Sequence, residues 1–375
     1  MSVPLVRQGV RWVSGIKATS TARWNRRYNN ALNNGNNEDT YALTALVRKE
    51  LWVHKSLDHF TPVNAVQTLY KLVRSSIDYN SGKVREELVP VVEEQCCFLL
   101  GRVVTIDQFD QDLVVQVCDA LGRLAWEKTR ASDTFWMLKT KVKDVLIDGK
   151  NPVHVSRLDV SSAIKVFSGL HRAGALVDDQ VFVDRFAAKL IKRADSFSMW
   201  QSIQFLDVLL QLKGAETLKQ KHADLIQTCM RRIRNDRHYA EHIRGSHGAR
   251  GLRLVQSLGI EKENKEVLRR CFNWYTTRPR TIKDLDALVL GMSALSKLPE
   301  FQVHWGRLSK VFKEAHRQKR FMTETMLKDM VEATQLLRER YPGLQQQYCK
   351  LTTHFSPKTL AKLAAAESNE KEEEK

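Results

Sequence analysis

The sequence predicts an all-α protein, an α-solenoid of about seven helix-turn-helix repeats with a period of roughly 42 residues. Three observations support this fold class: helix-start signals that recur at this spacing, apolar stripes in phase with those signals, and a scarcity of alternating, strand-like runs. Hydrophobic residues make up 43% of the chain and charged residues 27%. This composition provides enough apolar material for a continuous core and excludes disorder for most of the chain.

The helix starts are predicted from capping boxes, in which a Ser or Thr is followed three residues later by an acid or amide. Ser156-x-x-Asp159, Ser198-x-x-Gln201 and Thr281-x-x-Asp284 fit this pattern. The first two starts are separated by one predicted period, and the third follows at about twice that distance. A further step of one period reaches Thr323, where a hydroxyl remains but the acid is missing.

Mostly apolar residues recur 4, 7, 8, 11 and 14 positions after each start, the exceptions being Ser202 and Thr334, and this spacing places them on one face of a helix. Each of these first helices ends near a Gly or Pro, and a second amphipathic helix that finishes in basic residues follows it. The pattern continues more loosely toward the N-terminus. Representative stripes are Val160, Ala163, Ile164, Phe167 and Leu170; Leu268, Cys271, Phe272 and Tyr275; and Ala65, Val66, Leu69 and Leu72.

The chain divides by composition into four parts. Residues 1–28 are rich in Arg and Ser and contain no acidic residue, which is the composition of a mitochondrial targeting segment; a basic RNA-binding arm is the alternative. Residues 29–40 form an Asn-rich linker, residues 41–363 the helical repeat domain, and residues 364–375 an acidic tail that we expect to be disordered. The predicted location is the mitochondrial matrix.

The 60 Lys and Arg residues exceed the 43 Asp and Glu residues, giving a formal net charge of +17. A field of this sign attracts polyanions such as RNA, DNA or acidic lipid, although a basic subunit of a partly acidic assembly would show the same excess. The six cysteines form no C-x-x-C pair, so they indicate buried thiols in a reducing compartment. No apolar run is long enough to cross a bilayer, so we expect no membrane insertion.

The repeat pattern breaks at residues 231–251. The expected capping box is missing, the register requires an insertion of about one helical turn, and arginines are interleaved with three histidines and three glycines. Glycines let backbone N–H groups approach phosphate, arginines bind phosphate oxygens, and nearby aromatic rings stack on bases. A solvated loop without a specific partner is the alternative. A further basic helix carries Arg307, Lys310, Lys313 and Arg317. The candidate RNA-binding residues are Arg231, Arg232, Arg234, Arg237, Arg244, Arg250, Arg269, Arg270, Trp274, Tyr275, Arg278, Arg280, Lys319 and Arg320.

The same segment contains His238-x-x-Glu241-His242, which matches the H-x-x-E-H signature of a class of zinc hydrolases. The flanking arginines would repel a divalent cation, and the chain shows little of the strand signal that such a fold needs. A zinc hydrolase is therefore a remote alternative. No phosphate-binding loop or nucleophile elbow is found elsewhere, so we expect a non-catalytic protein without metal or cofactor.

Three helix ends carry a resemblance to known proteins: Leu170-His-Arg-Ala-Gly174, Leu209-Leu-Gln-Leu-Lys-Gly214 and Leu295-Ser-Lys-Leu298. Over about residues 60–360, the general sequence pattern around such helix ends resembles that of octotricopeptide-like repeats and of the helical regions of FAST-kinase-type mitochondrial proteins. It is also similar to helical-repeat subunits of kinetoplastid mitochondrial RNA-editing and ribosomal assemblies. The C-terminal RAP domain of the FAST-kinase type is not recognisable here, so its nuclease-like role is not expected.

What the resemblance implies is RNA binding during mitochondrial RNA processing or editing, as one subunit of a larger ribonucleoprotein complex. The expected partners are RNA and other protein subunits. A protein scaffold or a structural subunit associated with the mitochondrial ribosome is the alternative.

Overall fold

The computed structural model describes residues 45, 47–48, 61–75, 89–124, 132–235, 245–277, 279–282, 285–302, 304–319 and 322–352. Within these ranges the chain forms fifteen α-helices and a few short 3₁₀ turns, and it contains no β-strand. The predicted all-α class is confirmed. The predicted targeting segment, linker and acidic tail lie outside the described residues.

The chain forms two compact units, with the boundary between Leu190 and Ile191 at the end of the sixth helix. In the described residues, unit 1 contains three helix pairs. Its helices are α1 (Pro62–Ser75), α2 (Val89–Val103), α3 (Gln111–Arg123), α4 (Asp133–Ile147), α5 (Val160–Arg172) and α6 (Gln180–Ile191). The first helices pack in sequence, α1 on α3 and α3 on α5, while the second helices α2 and α4 pack on each other and on their partners.

In the described residues, unit 2 contains four helix pairs and one additional short helix. The helices are α7 (Met199–Lys213), the short α8 (Ala215–Lys221), α9 (Ala223–Asn235), α10 (Gly245–Leu258), α11 (Lys265–Thr277), α12 (Leu285–Ser296), α13 (Trp305–Gln318), α14 (Glu324–Arg340) and α15 (Gln345–Thr352). The first helices α7, α10, α12 and α14 pack one on the next, and the second helices α9, α11, α13 and α15 do the same. We call these sets the first-helix row and the second-helix row of unit 2.

The predicted apolar stripes form the core of both units. Ala163, Ile164, Phe167 and Leu170 of α5 are fully buried, because the 3.6-residue period places all four on the face that packs against α3. The stripes of the second helices are buried in the same way. Phe182, Phe186 and Leu190 of α6, Leu225, Cys229 and Ile233 of α9, and Leu308, Val311, Phe312 and Ala315 of α13 are all core residues.

Two of the four predicted helix starts are confirmed. Ser198 caps α7 in a reciprocal box: the Ser198 N–H donates to the Gln201 side chain at 2.7 Å, and Gln201 N–H donates back to the Ser198 hydroxyl at 3.5 Å. Thr323 caps α14, since its hydroxyl accepts from the Met326 N–H at 3.3 Å. Each bond satisfies a backbone donor that the first helical turn leaves unpaired.

The other two predicted starts are wrong. Asp159, not Ser156, is the cap of α5, and its carboxylate accepts from the Ser162 N–H at 2.9 Å. Ser156 lies in the preceding turn, where its hydroxyl contacts His154 Nδ1 at 2.6 Å. Thr281 belongs to a 3₁₀ turn, and α12 begins only at Leu285.

The spacing between successive first helices is not uniform. Those of unit 1 begin farther apart in sequence than those of unit 2, and within unit 2 the longest step is the one from α7 to α10. That step spans the segment where an insertion was predicted. The first helices begin at Pro62, Gln111 and Val160 in unit 1, and at Met199, Gly245, Leu285 and Glu324 in unit 2. The predicted period therefore describes an average and not a repeat of fixed length.

Glycine determines how two of the first helices end. Gly174 after α5 and Gly259 after α10 have φ angles of 68° and 62°, a left-handed conformation in which a side chain is strained. In both cases the residue after the glycine donates back into the helix: Ala175 N–H to Leu170 O at 2.9 Å, and Ile260 N–H to Val255 O at 3.2 Å. This arrangement satisfies terminal carbonyls and turns the chain toward the second helix.

An arginine ties successive first helices of unit 2 together. The Arg340 guanidinium on α14 donates to Leu295 O at 3.1 Å and to Leu298 O at 3.0 Å, and it also donates to Ser296 O. These carbonyls lie at the C-terminal end of α12, where regular helical hydrogen bonding stops. The positive charge of Arg340 therefore stabilises the packing of α12 on α14.

Candidate nucleic-acid interface

Among the described helices of unit 2, positive charge is concentrated on the second-helix row. Helix α9 contains three arginines and one aspartate, α11 one lysine and two arginines against one glutamate, and α13 two arginines and two lysines against one glutamate. In the first-helix row, α10 carries two arginines, α7 balances one aspartate with one lysine, and α12 and α14 contain more acids than cations. A polyanion would therefore be attracted to the second helices.

Helix α9 contributes Arg231 and Arg234, whose side chains are exposed on its outer face. Arg231 pairs with Asp195 at 3.0 Å, a contact whose members are 59% and 82% exposed and which contributes little in water. Arg234 Nη2 lies 3.5 Å from Asn264 Oδ1. Arg232 is half-buried, and its Nε atom is buried without a hydrogen-bond partner. Arg231 and Arg234 can therefore exchange these contacts for phosphate oxygens.

Helix α11 contributes Arg269 and Arg270, which share one carboxylate. Arg269 Nη1 and Arg270 Nε both lie 3.4 Å from Glu266. A single glutamate thus contacts two guanidinium groups. Arg269 is 71% exposed, so it is the more accessible of the two cations. Trp274, one turn further along, is half-buried.

Helix α13 extends the same row. Arg307 Nη1 donates to Asn273 Oδ1 of α11 at 2.6 Å, which connects the two neighbouring helices. Lys310 and Lys313 are exposed, while Arg317 pairs with the buried Glu314. Lys319 follows the helix, and its Nζ donates to Lys350 O at 3.2 Å; burial lowers its pKa. The structure thus brings the predicted cations of three second helices onto one row.

Several candidates lie elsewhere or outside the described residues. Arg250 is half-buried on α10, in the first-helix row, and Arg280 is exposed in the 3₁₀ turn Pro279–Thr281. Neither belongs to the second-helix row. Four further predicted residues, and the His238–His242 motif, lie outside the described residues; the four are Arg237, Arg244, Arg278 and Arg320.

The three glycines of the pattern break do not form a phosphate-binding loop. Gly245, Gly248 and Gly251 are buried on one face of α10. A Cβ atom at Gly248 would lie 2.5 Å from both Cys271 O and Tyr275 N, and one at Gly251 would lie 2.4 Å from Cys271 Sγ. The glycines instead allow α10 to approach the backbone of α11 closely, which corrects the prediction that they expose N–H groups to phosphate.

Tyr275 cannot stack on a base in this fold. Its side chain is completely buried, and its hydroxyl donates to Leu288 O at 2.6 Å. Burial raises the pKa of Tyr275 well above its ordinary value. Gly291 of α12 makes room for the ring, since a Cβ there would lie 2.5 Å from two of its carbon atoms. The predicted stacking role is wrong, because the ring belongs to the apolar stripe of α11 and contacts Leu288 and Gly291 of α12.

An open cleft of about 680 Å³ lies beside α9. Its walls are α9 and the connection between α10 and α11, so Arg231 and Arg234 face Ile260 and Asn264 across it. Asp224 and Glu263 also line the cleft and reduce its positive charge. The sequence does not predict this cleft. The connection between α10 and α11 comes one helix after α9 in the chain, and no local pattern indicates that it packs beside α9.

The described residues contain no group of three or more His, Cys, Asp or Glu side chains placed to hold a metal ion. Within the same residues, no helix combines the length and the apolar character needed to span a membrane. No protein-family model and no curated protein matches this sequence.

Proposed function

We propose that this chain is a non-catalytic helical-repeat protein that binds RNA in the mitochondrial matrix, as one subunit of an RNA-processing or RNA-editing complex. The observation that carries the proposal is the concentration of exposed cations on the second-helix row of unit 2. The mitochondrial part rests on the basic, acid-free composition of residues 1–28.

The proposal includes an α-solenoid architecture. Within each unit, first helices pack on first helices and second helices on second helices. This arrangement supports a stack of helix pairs in which one row of helices can present a continuous surface to a polymer. A row of second helices is suited to RNA because neighbouring packed helices lie about 8–10 Å apart, which is within the range of one to two nucleotide spacings.

The chemistry of the row favours contacts to phosphate over contacts to base edges. Its exposed cations include Arg231, Arg269, Lys310 and Lys313, whereas the exposed aromatic ring in the described part of the row is Trp305, which lies beside Gly343. Arginine binds phosphate oxygens with two parallel hydrogen bonds, and lysine acts as a point charge. Binding of this kind is weakly sequence-specific and falls steeply with salt, because each contact releases counterions from the RNA.

The test is a titration of a labelled single-stranded RNA with the full chain across a salt series. The triple variant Arg269→Gln, Lys310→Gln, Lys313→Gln removes three exposed charges from the row. If each charge neutralises one phosphate, the slope of log affinity against log salt becomes shallower by about 2, and affinity near 0.1 M salt falls by about tenfold or more.

A matched control removes the same charge elsewhere. The variant Lys165→Gln, Arg185→Gln, Lys189→Gln changes three exposed cations on α5 and α6 of unit 1. We expect it to retain most of the affinity. Equal losses in the two variants would show that only net charge matters and would refute the assignment to the second-helix row. Absence of binding even near 50 mM salt, where phosphate contacts are strong, would refute RNA binding itself.

The mitochondrial location is tested separately. A tagged full-length chain should be found inside organelles and resist added protease until the membranes are opened. Removal of residues 1–28 should abolish this protection. A chain that stays in the cytosol in both forms would refute the location and leave RNA binding to be judged by the titration.

A second candidate function is a protein scaffold or a structural subunit of a ribosome-associated assembly. One observation favours it: unit 1 exposes the large apolar side chains Phe98, Trp136 and Met137 on its second helices. Exposed apolar clusters on a folded chain are typical of protein contact surfaces. Association with other subunits that persists after RNase treatment, together with no RNA binding by the purified chain, would favour this function over the first.

A further inference from the structure

The exposed face of α4 in unit 1 is apolar at its centre and acidic at both ends. The exposed residues of this helix are Asp133, Trp136, Met137, Thr140 and Asp144, which follow the spacing of one helical stripe. Trp136 is 57% exposed and Met137 is 60% exposed. We call these five residues the α4 stripe. In a chain with a net charge of +17, none of them is basic.

The lysines of α4 are not among the exposed residues of this face, because each contacts another group of the fold. Lys139 is only 6% exposed, and its Nζ lies 4.0 Å from the centre of the Trp136 ring. Lys141 Nζ donates to Val104 O at 2.9 Å, and Lys143 Nζ pairs with Asp179 at 2.6 Å. The ammonium of Lys139 covers one side of the indole and holds the ring in place.

The neighbouring second helix carries a similar exposed stripe. Helix α2 packs against α4, and its exposed described residues are Glu94, Phe98 and Gly101, again one helical stripe. Phe98 is 49% exposed, and a Cβ atom at Gly101 would meet no atom within 4 Å. The buried sides of the two helices face α1 and α3, so both stripes lie on the side away from the first helices. Neither stripe includes a cation.

We propose that the α4 stripe, together with Glu94 and Phe98 of α2, is a docking surface for a basic amphipathic helix of a partner protein. Charge complementarity determines the occupant: the apolar centre fits the apolar face of a helix, and the carboxylates at the ends fit its flanking lysines and arginines. Trp136 provides a large rigid anchor, and Met137 adapts to the shape of the incoming side chains. An acidic partner or RNA is disfavoured here by the same carboxylates.

The test uses the full chain and a designed peptide of about 18 residues, or five helical turns, with leucines on one face and lysines on the other. Fluorescence anisotropy of the labelled peptide should give saturable binding with a Kd of about 1–10 µM. The variant Trp136→Ser, Met137→Ser should weaken it by about tenfold or more. The variant Asp133→Asn, Asp144→Asn should weaken it by a smaller factor that shrinks as salt is raised.

Two controls define the specificity. A peptide with glutamates in place of the lysines should not bind, since it meets carboxylates. The variant Leu336→Ser, which removes a 45% exposed apolar side chain from α14 in unit 2, should bind the basic peptide as the wild type does. The substituted residues are all exposed, so unchanged helical circular dichroism and thermal midpoints are expected and verify that the variants are folded.

Three results on peptide binding would each overturn the proposal. They are no saturable binding up to about 500 µM peptide, equal binding by the Trp136→Ser, Met137→Ser variant, and equal binding of the acidic peptide. Self-association of the wild type that this variant abolishes would assign the surface to a second copy of the chain and would also overturn it. The proposal does not depend on RNA binding, because the stripe lies in unit 1 and the titrated cations of the RNA experiment lie in unit 2.

Discussion

Replacing Gly248 by Ala tests whether the glycines of α10 serve helix packing or ligand contact. In an isolated helix this substitution stabilises by about 1 kcal/mol, because Ala loses less backbone entropy than Gly. Here the new Cβ would lie 2.5 Å from both Cys271 O and Tyr275 N, which are backbone atoms of α11 and cannot rotate away. Overpacking in a core costs about 1–3 kcal/mol, and two backbone contacts place this site at the upper end.

The net effect is therefore a destabilisation of unit 2 by about 1–2 kcal/mol, which is the packing cost less the gain in helix propensity. Urea unfolding followed by circular dichroism should show a midpoint lowered by roughly 0.5 M. Amide hydrogen exchange of α10 and α11 should be faster, while exchange in unit 1 should not change. RNA affinity measured well below the unfolding transition should stay at the wild-type value.

Gly101→Ala is the matched control. Gly101 also lies inside an α-helix, but a Cβ there meets no atom within 4 Å. We expect this substitution to stabilise by about 0.5–1 kcal/mol. If Gly248→Ala were as stable as the wild type and instead weakened RNA binding, the packing role would be wrong and the phosphate-loop prediction would be restored.

Three further predictions concern caps, pH and thiols. Ser198→Ala should destabilise by about 1 kcal/mol in thermal or urea unfolding, since it removes a capping box, whereas Ser156→Ala should change stability by less than about 0.5 kcal/mol. Asp179→Asn should lower stability at pH 7 by at most about 0.5 kcal/mol, because the Lys143–Asp179 pair is partly exposed. The bond from Lys143 holds the pKa of Asp179 below its ordinary value. The stabilisation is therefore present above about pH 4 and is lost as pH falls through that lowered pKa. A difference in stability between the wild type and Asp179→Asn that persists below about pH 2 would contradict this cause. In thiol labelling at pH 8, exposed Cys349 should react fastest, and the four buried cysteines should react only on unfolding. Burial raises the pKa of Cys229 and of Cys271 to about 12. Fast labelling of either of these two thiols would show that the core opens readily. The four buried cysteines are Cys96, Cys118, Cys229 and Cys271.

The periodicity of the sequence was sufficient to predict the helices and their buried faces. Stripes of apolar residues depend only on the 3.6-residue period, so Phe167 of α5 and Met330 of α14 are buried as the pattern indicates. The same pattern also contained the correct information on Tyr275. Its place in the stripe with Leu268 and Phe272 indicates burial, and this evidence outweighs its proximity to arginines.

Features that depend on distant contacts could not be predicted. Both Ser156 and Asp159 are acceptable capping residues, and the structure uses Asp159. Gln111, far earlier in the chain, helps to determine this choice, because its side chain donates to the Asp159 carboxylate and accepts from the Asp159 N–H at 3.3 Å. The spacing of Gly245, Gly248 and Gly251 likewise shows that one helical face lacks side chains, but it does not show that α11 lies against that face.

The candidate site was predictable in composition and not in arrangement. The arginines of α9 and α11 were identified by their density in the sequence. Their assembly on one row follows from the packing of α9, α11 and α13, which no local pattern reveals. The cleft beside α9 was missed for the same reason.

The close approach of α10 and α11 has a consequence for the thermodynamics of ligand binding. With glycine at three buried positions, α10 has no rotatable side chains there, and the backbones of the two helices are in direct contact. Arg269 therefore projects from a support that is already ordered before any ligand arrives. A pre-organised cation loses less conformational entropy on binding than one on a mobile loop, so part of the ordering cost of binding is already met by the fold.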